Sequence, residues 1–252
     1  MFGYATHVQC NLPLPNRELA FQIAEQFNVL GKTINLKDTV IVGGLDMMTQ
    51  AIALSKRPHI IIATPGRLRD HINSSGASTL NLSKVKFLVL DEADRLLSET
   101  FADDLGGILS VLPEKRQTLL FTATMTDAIL ELAGPKDSKP APGAKPAPFV
   151  YQCQTAVSTV STLTQSYIFL PSYIRETYLA YLLRSDDFTK KSTIIFTGRC
   201  RTAETLRVML RELGIACTAL HSEMSQQERL NSLAKFRGGI TTVLIATDVG
   251  SR

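Results

Sequence analysis

The chain has 252 residues, 44% of them hydrophobic and 20% charged, the make-up of an ordinary globular protein rather than a disordered one. Its net charge of +4 tilts toward an anionic partner and excludes no enzyme class. No apolar run nears the ~18 residues needed to cross a bilayer, so no membrane partner is expected. Met1 to Asn11 also lack the basic start, apolar middle and cleavage site of a secretory signal.

In chain order, Arg17–Leu30 has helical periodicity, and strand-like apolar runs follow at Thr39–Val42, Ile60–Ala63, Val85–Leu90 and Thr118–Phe121. Residues 134–148 hold five of the eleven prolines among lysines and alanines, so no helix or strand is expected to run through them. Strand-like runs resume at Phe149–Cys153 and Gln165–Leu170, then at Thr193–Phe196 and Thr242–Ala246. Between the last two lie helical patterns at Ala203–Leu213, with Gly214 as a C-terminal cap, and at Gln226–Phe236, opened by a Ser225/Glu228 capping box. Strands alternating with helices predict an α/β fold of parallel sheets covered by helices on both faces.

The proline segment is one candidate linker, and the Ser/Thr-rich stretch 155–163 is another. The second is preferred, because the strand at Phe149–Cys153 then completes the first sheet and the prolines loop out from it. The expected organisation is a first domain over 1–154, a linker over 155–163 and a second domain over 164–252. The four cysteines and four histidines are scattered without a CxxC pair, so neither a structural zinc site nor a disulfide framework is expected, and a reducing compartment fits.

The densest chemistry lies where the apolar run Val85–Leu90 meets Asp91-Glu92-Ala93-Asp94. Parallel α/β sheets bind ligands beyond the carboxyl ends of their strands. A carboxylate there suits a hard Mg²⁺ ion held through water, and a neighbouring one suits an attacking water. The alternative is that these acids only favour the positive N-terminus of the following helix.

Further residues stand in a specific order around that pair. They are Pro15-Asn16-Arg17-Glu18-Leu19-Ala20, Gly43-Gly44, Thr64-Pro65-Gly66-Arg67, Thr122-Ala123-Thr124, Ile195-Phe196-Thr197, Leu220-His221-Ser222, Gln226-Gln227-Glu228-Arg229 and Ala246-Thr247-Asp248-Val249-Gly250-Ser251-Arg252. In this order the chain resembles the DEAD-box ATP-dependent RNA helicases of superfamily 2, from Pro15 onward. The resemblance implies two RecA-like parallel-sheet domains in tandem, both incomplete, with ATP, Mg²⁺ and the RNA backbone as ligands. It implies that Asp91 holds Mg²⁺, that Glu92 activates water, and that Asp94 bonds with the Thr122 and Thr124 hydroxyls. It implies sequence-blind RNA contacts from Arg17, Gly43, Gly44, Thr64, Gly66 and Arg67 in the first domain, and from Gln226, Arg229 and Thr247 in the second. Read singly, the glycine pairs are plain turns, Arg229 is a solvated helix residue and His221 is a buried strand-end histidine.

The sequence holds no Gly-rich phosphate loop before Pro15. Gly31-Lys32-Thr33 is a poor substitute, since it follows a helix and has Gln26 where that loop needs glycine. Gly31 reads instead as a helix cap. On this basis the chain alone is expected to be catalytically inactive, and the readings beside a helicase are an RNA-binding fragment or an incomplete gene model. Pro13 and Pro15 are expected to interrupt any strand before Arg17. A sheet missing its phosphate-loop strand is expected to leave the first domain loose, with Val85–Leu90 less protected than Thr193–Phe196. The proline–lysine segment and the Thr-Ala-Thr variant resemble the fungal members that assemble the small ribosomal subunit. That resemblance implies rRNA processing in the nucleus and nucleolus, with the cytoplasm as the other location.

Overall fold

The computed structural model describes residues 9–13, 17–74, 80–133, 149–151, 162–189 and 191–247. The proline segment 134–148, most of the expected linker and the motif residues from Asp248 onward lie outside the described residues. The chain divides into two compact units, Met1–Cys153 and Gln154–Arg252.

The first unit runs β1 (Gln9–Pro13), α1 (Arg17–Leu30), β2 (Asp38–Ile41), α2 (Met47–Ser55), β3 (Ile60–Ala63), α3 (Pro65–Ser74), β4 (Val85–Leu90), α4 (Ala93–Leu96), α5 (Glu99–Val111), β5 (Gln117–Leu120) and α6 (Asp127–Ala133). Its strands form one parallel sheet in the order β2-β3-β1-β4-β5. Because side chains alternate across a strand, β3 feeds two cores. Ile61 and Ala63 join Leu68, Leu88 and Ile108 on one face, while Ile60 and Ile62 join Ala20, Ala24 and Val42 on the other. All four β3 side chains are buried, as expected of a parallel strand covered on both faces.

The second unit runs α7 (Arg175–Arg184), α8 (Asp186–Thr189), β6 (Thr193–Phe196), α9 (Cys200–Glu212), β7 (Cys217–Leu220), α10 (Gln226–Arg237) and β8 (Val243–Ala246). Here the parallel order is β6-β8-β7. β8 divides in the same way: Val243 and Ile245 pack with Ala180, Leu206 and Leu210, and Leu244 and Ala246 with Leu233 and Phe236. Gly214 follows α9 at φ +77°, a cap that glycine adopts without Cβ strain. Ser225 and Glu228 close a reciprocal capping box on α10.

Three expectations are corrected, and one strand appears that the sequence does not announce. A strand does precede Arg17: β1 pairs with β3 and with β4, and Pro13 is its last residue, where a missing N–H costs the ladder little. β4 therefore has a neighbour on each side, and the edge strands among the described residues are β2 and β5, the latter with largely exposed side chains. The strand expected at Phe149–Cys153 is absent from its described part, residues 149–151, where Phe149 is 90% exposed. The run 165–170 also forms no strand. Apolar alternation says how a strand would present its side chains, but a strand forms only where a partner edge is reached. Finally, Cys217–Leu220, too short and mixed to stand out in the sequence, is a fully buried strand.

Candidate functional site

In a parallel sheet every strand ends on the same side, so the segments after β2, β3, β4 and β5 all open on one edge of the first unit. Arg17 opens α1, Gly43 and Gly44 follow β2, and Thr64 links β3 to α3. These residues, with Pro65, Gly66 and Arg67, line a single cleft of about 410 Å³. Asp70, Phe101 and Asp104 complete its wall.

The two glycines that matter most have separate reasons. Gly44 sits at φ +78°, a backbone state an L side chain adopts only under strain. A Cβ on Gly43 would come within 3.0 Å of the Arg17 guanidinium, so the loop and that cation share one space.

The cleft is held from beneath by residues of which sequence patterns mark only some. The Gln50 carboxamide is buried, accepts from the Val42 amide at 3.1 Å and donates to the Val42 carbonyl at 3.0 Å. The Arg67 guanidinium donates to the Leu45 carbonyl at 2.8 Å and pairs with Asp70 at 3.4 Å. Asp46 caps α2 by accepting from the Thr49 hydroxyl and amide, bonds that hold its carboxyl below the usual range. Asp46 three residues before Thr49 is the one legible signal here. Gln50, Phe101 and Asp104 have none, because what recruits them is spatial.

At the end of β4 the acids form a second cluster. The Asp91 carboxylate accepts from the Glu92 amide at 2.9 Å. Glu92 lies in the left-handed region at φ 50°, and its carboxylate pairs with Arg95 at 3.2 Å. Backbone strain of this kind in a non-glycine residue concentrates at functional sites. The Ala93 amide donates to the Phe121 carbonyl at 2.9 Å and the Phe121 amide to the Leu90 carbonyl at 2.8 Å, stitching the ends of β4 and β5 together. This brings the Thr124 hydroxyl onto the Asp94 carboxylate. The Thr122 hydroxyl does not join it as expected; it donates to the Thr124 carbonyl at 2.8 Å, closing a tight local turn.

Gly31 closes against the chain rather than opening a phosphate loop. It remains right-handed at φ −86°, and a Cβ there would collide with Leu36 at 2.5 Å. The left-handed residue that ends this turn is Asn35.

In the second unit the Thr197 amide donates to the Ala246 carbonyl at 2.8 Å and the Thr247 amide to the Leu220 carbonyl at 3.1 Å. The carboxyl ends of β6, β8 and β7 are thus joined. Gln226, the first residue of α10, and Thr247 are each 4% exposed, so neither side chain faces solvent, and Arg229 is half-buried. His221, after β7, is buried as read and bonds Glu204 through Nε2 at 3.0 Å.

Residues 5–132 match the DEAD/DEAH box helicase family and 175–252 the helicase conserved C-terminal domain. The chain is 55% identical to the ATP-dependent RNA helicase dbp8 of Schizosaccharomyces pombe over 94% of its own length and 52% of that protein's. It is 48% identical to the probable ATP-dependent RNA helicase DDX49 of Homo sapiens, over 96% of this chain and 49% of that one. Among solved structures it resembles S. cerevisiae Dbp5 bound to RNA and ADP BeF3, at 28% identity and TM-score 0.78, covering 100% of this chain and 61% of that one. The chain spans about half the length of the curated relatives it matches. With two parallel α/β units of RecA-like type in tandem, the chain belongs to the DEAD/DEAH box helicase family.

Proposed function

We propose that this chain carries the RNA-facing surface and the acid pair of an ATP-dependent RNA helicase, in which ATP hydrolysis drives local duplex unwinding. The observation that supports this best is the convergence of Arg17, Gly43, Gly44, Thr64, Gly66 and Arg67, from three separate loops, on one cleft.

That cleft suits a sugar–phosphate backbone. Arginine side chains and backbone amides beside glycines bind phosphate oxygens and read no base. Asp70 and Asp104 keep it from being uniformly positive, which favours a placed backbone over diffuse attraction. Gln226, Arg229 and Thr247 are assigned the corresponding role in the second unit. Since Gln226 and Thr247 are buried, their contribution is to shape the loops that meet RNA.

For the nucleotide, the donor set fits in part. Asp91 offers hard carboxylate oxygens at a strand's carboxyl end, which suits Mg²⁺ held through water. Bound Mg²⁺ would supply charge neutralisation at the ATP phosphates. Glu92 is the group to orient and deprotonate a water, once it leaves Arg95. Asp94 and Thr124 tie the acid turn to the end of β5, so a change at the acids is felt there. Among the described residues no loop cradles phosphates, and Gly31 is unsuited to it.

The proline–lysine segment 134–148 and the Thr122-Ala123-Thr124 variant, which resemble fungal members that assemble the small ribosomal subunit, extend the proposal to rRNA processing in the nucleus and nucleolus. Imaging of the tagged protein would check the location.

The RNA reading is tested by binding of fluorescent single-stranded RNAs of unrelated sequence across a salt series. Affinity is expected to be sequence-blind and to fall with salt, by about 0.7 in log–log slope for each phosphate neutralised. Arg17→Ala is expected to remove roughly one such increment. Binding that ignores salt, or that strongly prefers one sequence, overturns it.

A further inference from the structure

Three residues far apart in the sequence meet at the carboxyl edge of the second unit. Cys200 is the first residue of α9, His221 follows β7, and Glu223 lies in the turn before α10. A thiol sulfur, a ring nitrogen and a carboxylate oxygen from these three lie within 4.8 Å of one another.

The histidine is prepared for a ligand's role. Its side chain is 5% exposed, and Nε2 faces the Glu204 carboxylate at 3.0 Å. A carboxylate only accepts, so Nε2 donates in this bond, and the tautomer that makes it offers its lone pair at Nδ1. That Nδ1 is buried and has no hydrogen-bond partner. An orphaned buried nitrogen costs stability unless something occupies it. Glu204 lies one helical turn beyond Cys200 and is itself braced by Arg207 at 2.7 Å. A carboxylate fixing the far nitrogen of a histidine is the outer support that metal-bound histidines commonly have.

We propose that Cys200, His221 and Glu223 form a binding site for a borderline divalent ion, Zn²⁺ or one like it, with Glu204 as the positioning residue behind His221. Thiolate, imidazole and carboxylate together suit Zn²⁺ over Mg²⁺ or Ca²⁺, which prefer all-oxygen sets. Tetrahedral bonds of about 2.0–2.3 Å place ligand atoms roughly 3.3–3.8 Å apart, so the site must contract by about 1 Å. Glu223 is exposed on a turn and Cys200 is half-exposed at a helix start, so both can move that far by side-chain rotation. The fourth position is open to water, with the Ser222 hydroxyl nearby at 3.4 Å from the Cys200 sulfur. Occupancy would pin the first turn of α9 to the turn that precedes α10. The site lies wholly within the second unit and does not depend on the RNA reading.

The test uses the 252-residue chain, stripped by chelator and titrated with Co²⁺ and then Zn²⁺. One equivalent of Co²⁺ is expected to give a thiolate-to-cobalt absorption band that Zn²⁺ abolishes, and Zn²⁺ is expected to raise the melting temperature of the second unit. Cys200→Ser should remove the band while keeping a native circular-dichroism spectrum. Glu223→Gln should weaken binding by roughly tenfold or more, and Glu204→Gln by about 10–100-fold with the band's position kept. Absence of a band in the unmodified chain overturns the proposal. So does a band that persists in Cys200→Ser, since Cys10, Cys153 or Cys217 would then supply the sulfur.

Discussion

The Arg67 guanidinium donates to the Leu45 carbonyl at 2.8 Å, so a cation on the wall of the proposed RNA cleft is also the strut that holds the Gly43-Gly44 loop against α3. Arg67→Ala should therefore do two things at once. It removes a charge-assisted bond, worth about 1.5–3 kcal/mol, and it weakens RNA binding at every salt concentration as the loop loosens. The log–log salt slope should change by only about one phosphate's worth, ~0.7. Arg67→Lys keeps the charge and loses the planar fork, so it should restore the slope and leave part of the stability loss. Urea unfolding beside a salt titration separates the two effects; equal stability in all three proteins would deny the strut.

Gln50 gives a cleaner loss of support. Its carboxamide satisfies both the amide and the carbonyl of Val42, inside a region that water does not reach. Gln50→Leu orphans both groups and should cost about 2–6 kcal/mol. Denaturant midpoints of the first unit measure this, and a change below about 0.5 kcal/mol would mean that the loop finds other partners.

His71 sets a pH dependence in the first unit. It is fully buried in α3, with neither ring nitrogen hydrogen-bonded. Burial lowers its pKa from the ordinary 6.5, and the nearby Arg67 charge lowers it further, against the opposite pull of Asp70. The folded state thus resists protonation more than the unfolded chain does. Its full stability is present above 6.5 and is lost as pH falls through the lower folded value. His71→Leu is expected to flatten that acid limb and to be neutral or stabilising above it. An unchanged slope between neutral and mildly acid pH would assign the limb to other groups.

Strand neighbours predict an exchange order. β4 is paired on both sides, by β1 and β5, whereas among the described residues β6 is paired by β8 alone. Ile194 and Phe196 of β6 are 47% and 58% exposed, and Leu88 of β4 is 0% exposed. Amides of Val85–Leu90 should exchange more slowly than those of Thr193–Phe196, by about one to two orders of magnitude. Hydrogen exchange read by NMR or mass spectrometry decides it; faster exchange in β4 would show that β1 does not stay in the sheet.

The expectation from sequence was the reverse, and the reason is instructive. The sequence leads one to expect Val85–Leu90 to be exposed by a missing phosphate-loop strand, yet the edge strands among the described residues are Asp38–Ile41 and Gln117–Leu120. Which strands are neighbours is not written in any local pattern. Parallel order comes from how right-handed crossovers stack, and Gln9–Pro13 enters the centre of the sheet across 50 residues from β3, from Cys10 to Ile60.

What the sequence determined by itself was everything carried by short-range regularity. Ile60–Ala63 reads as a strand because an unbroken apolar run is what burial on both faces requires, and Val85–Leu90 because its apolar run is broken only by the exposed Lys86. Ser225 with Glu228 read as a helix start because the capping bonds span three residues. Asp91-Glu92-Ala93-Asp94 read as chemistry because acids at the end of such a strand are placed by it. Tertiary structure alone decided the remainder. It spent the Thr122 hydroxyl on Thr124 and kept Asp94 for the Thr124 hydroxyl, put Gln50 under the glycine loop, and turned scattered Cys200, His221 and Glu223 into neighbours. Hydrogen bonds and ligand sets depend on distances in space, and in a parallel sheet each strand's end is brought beside segments that lie tens of residues away along the chain.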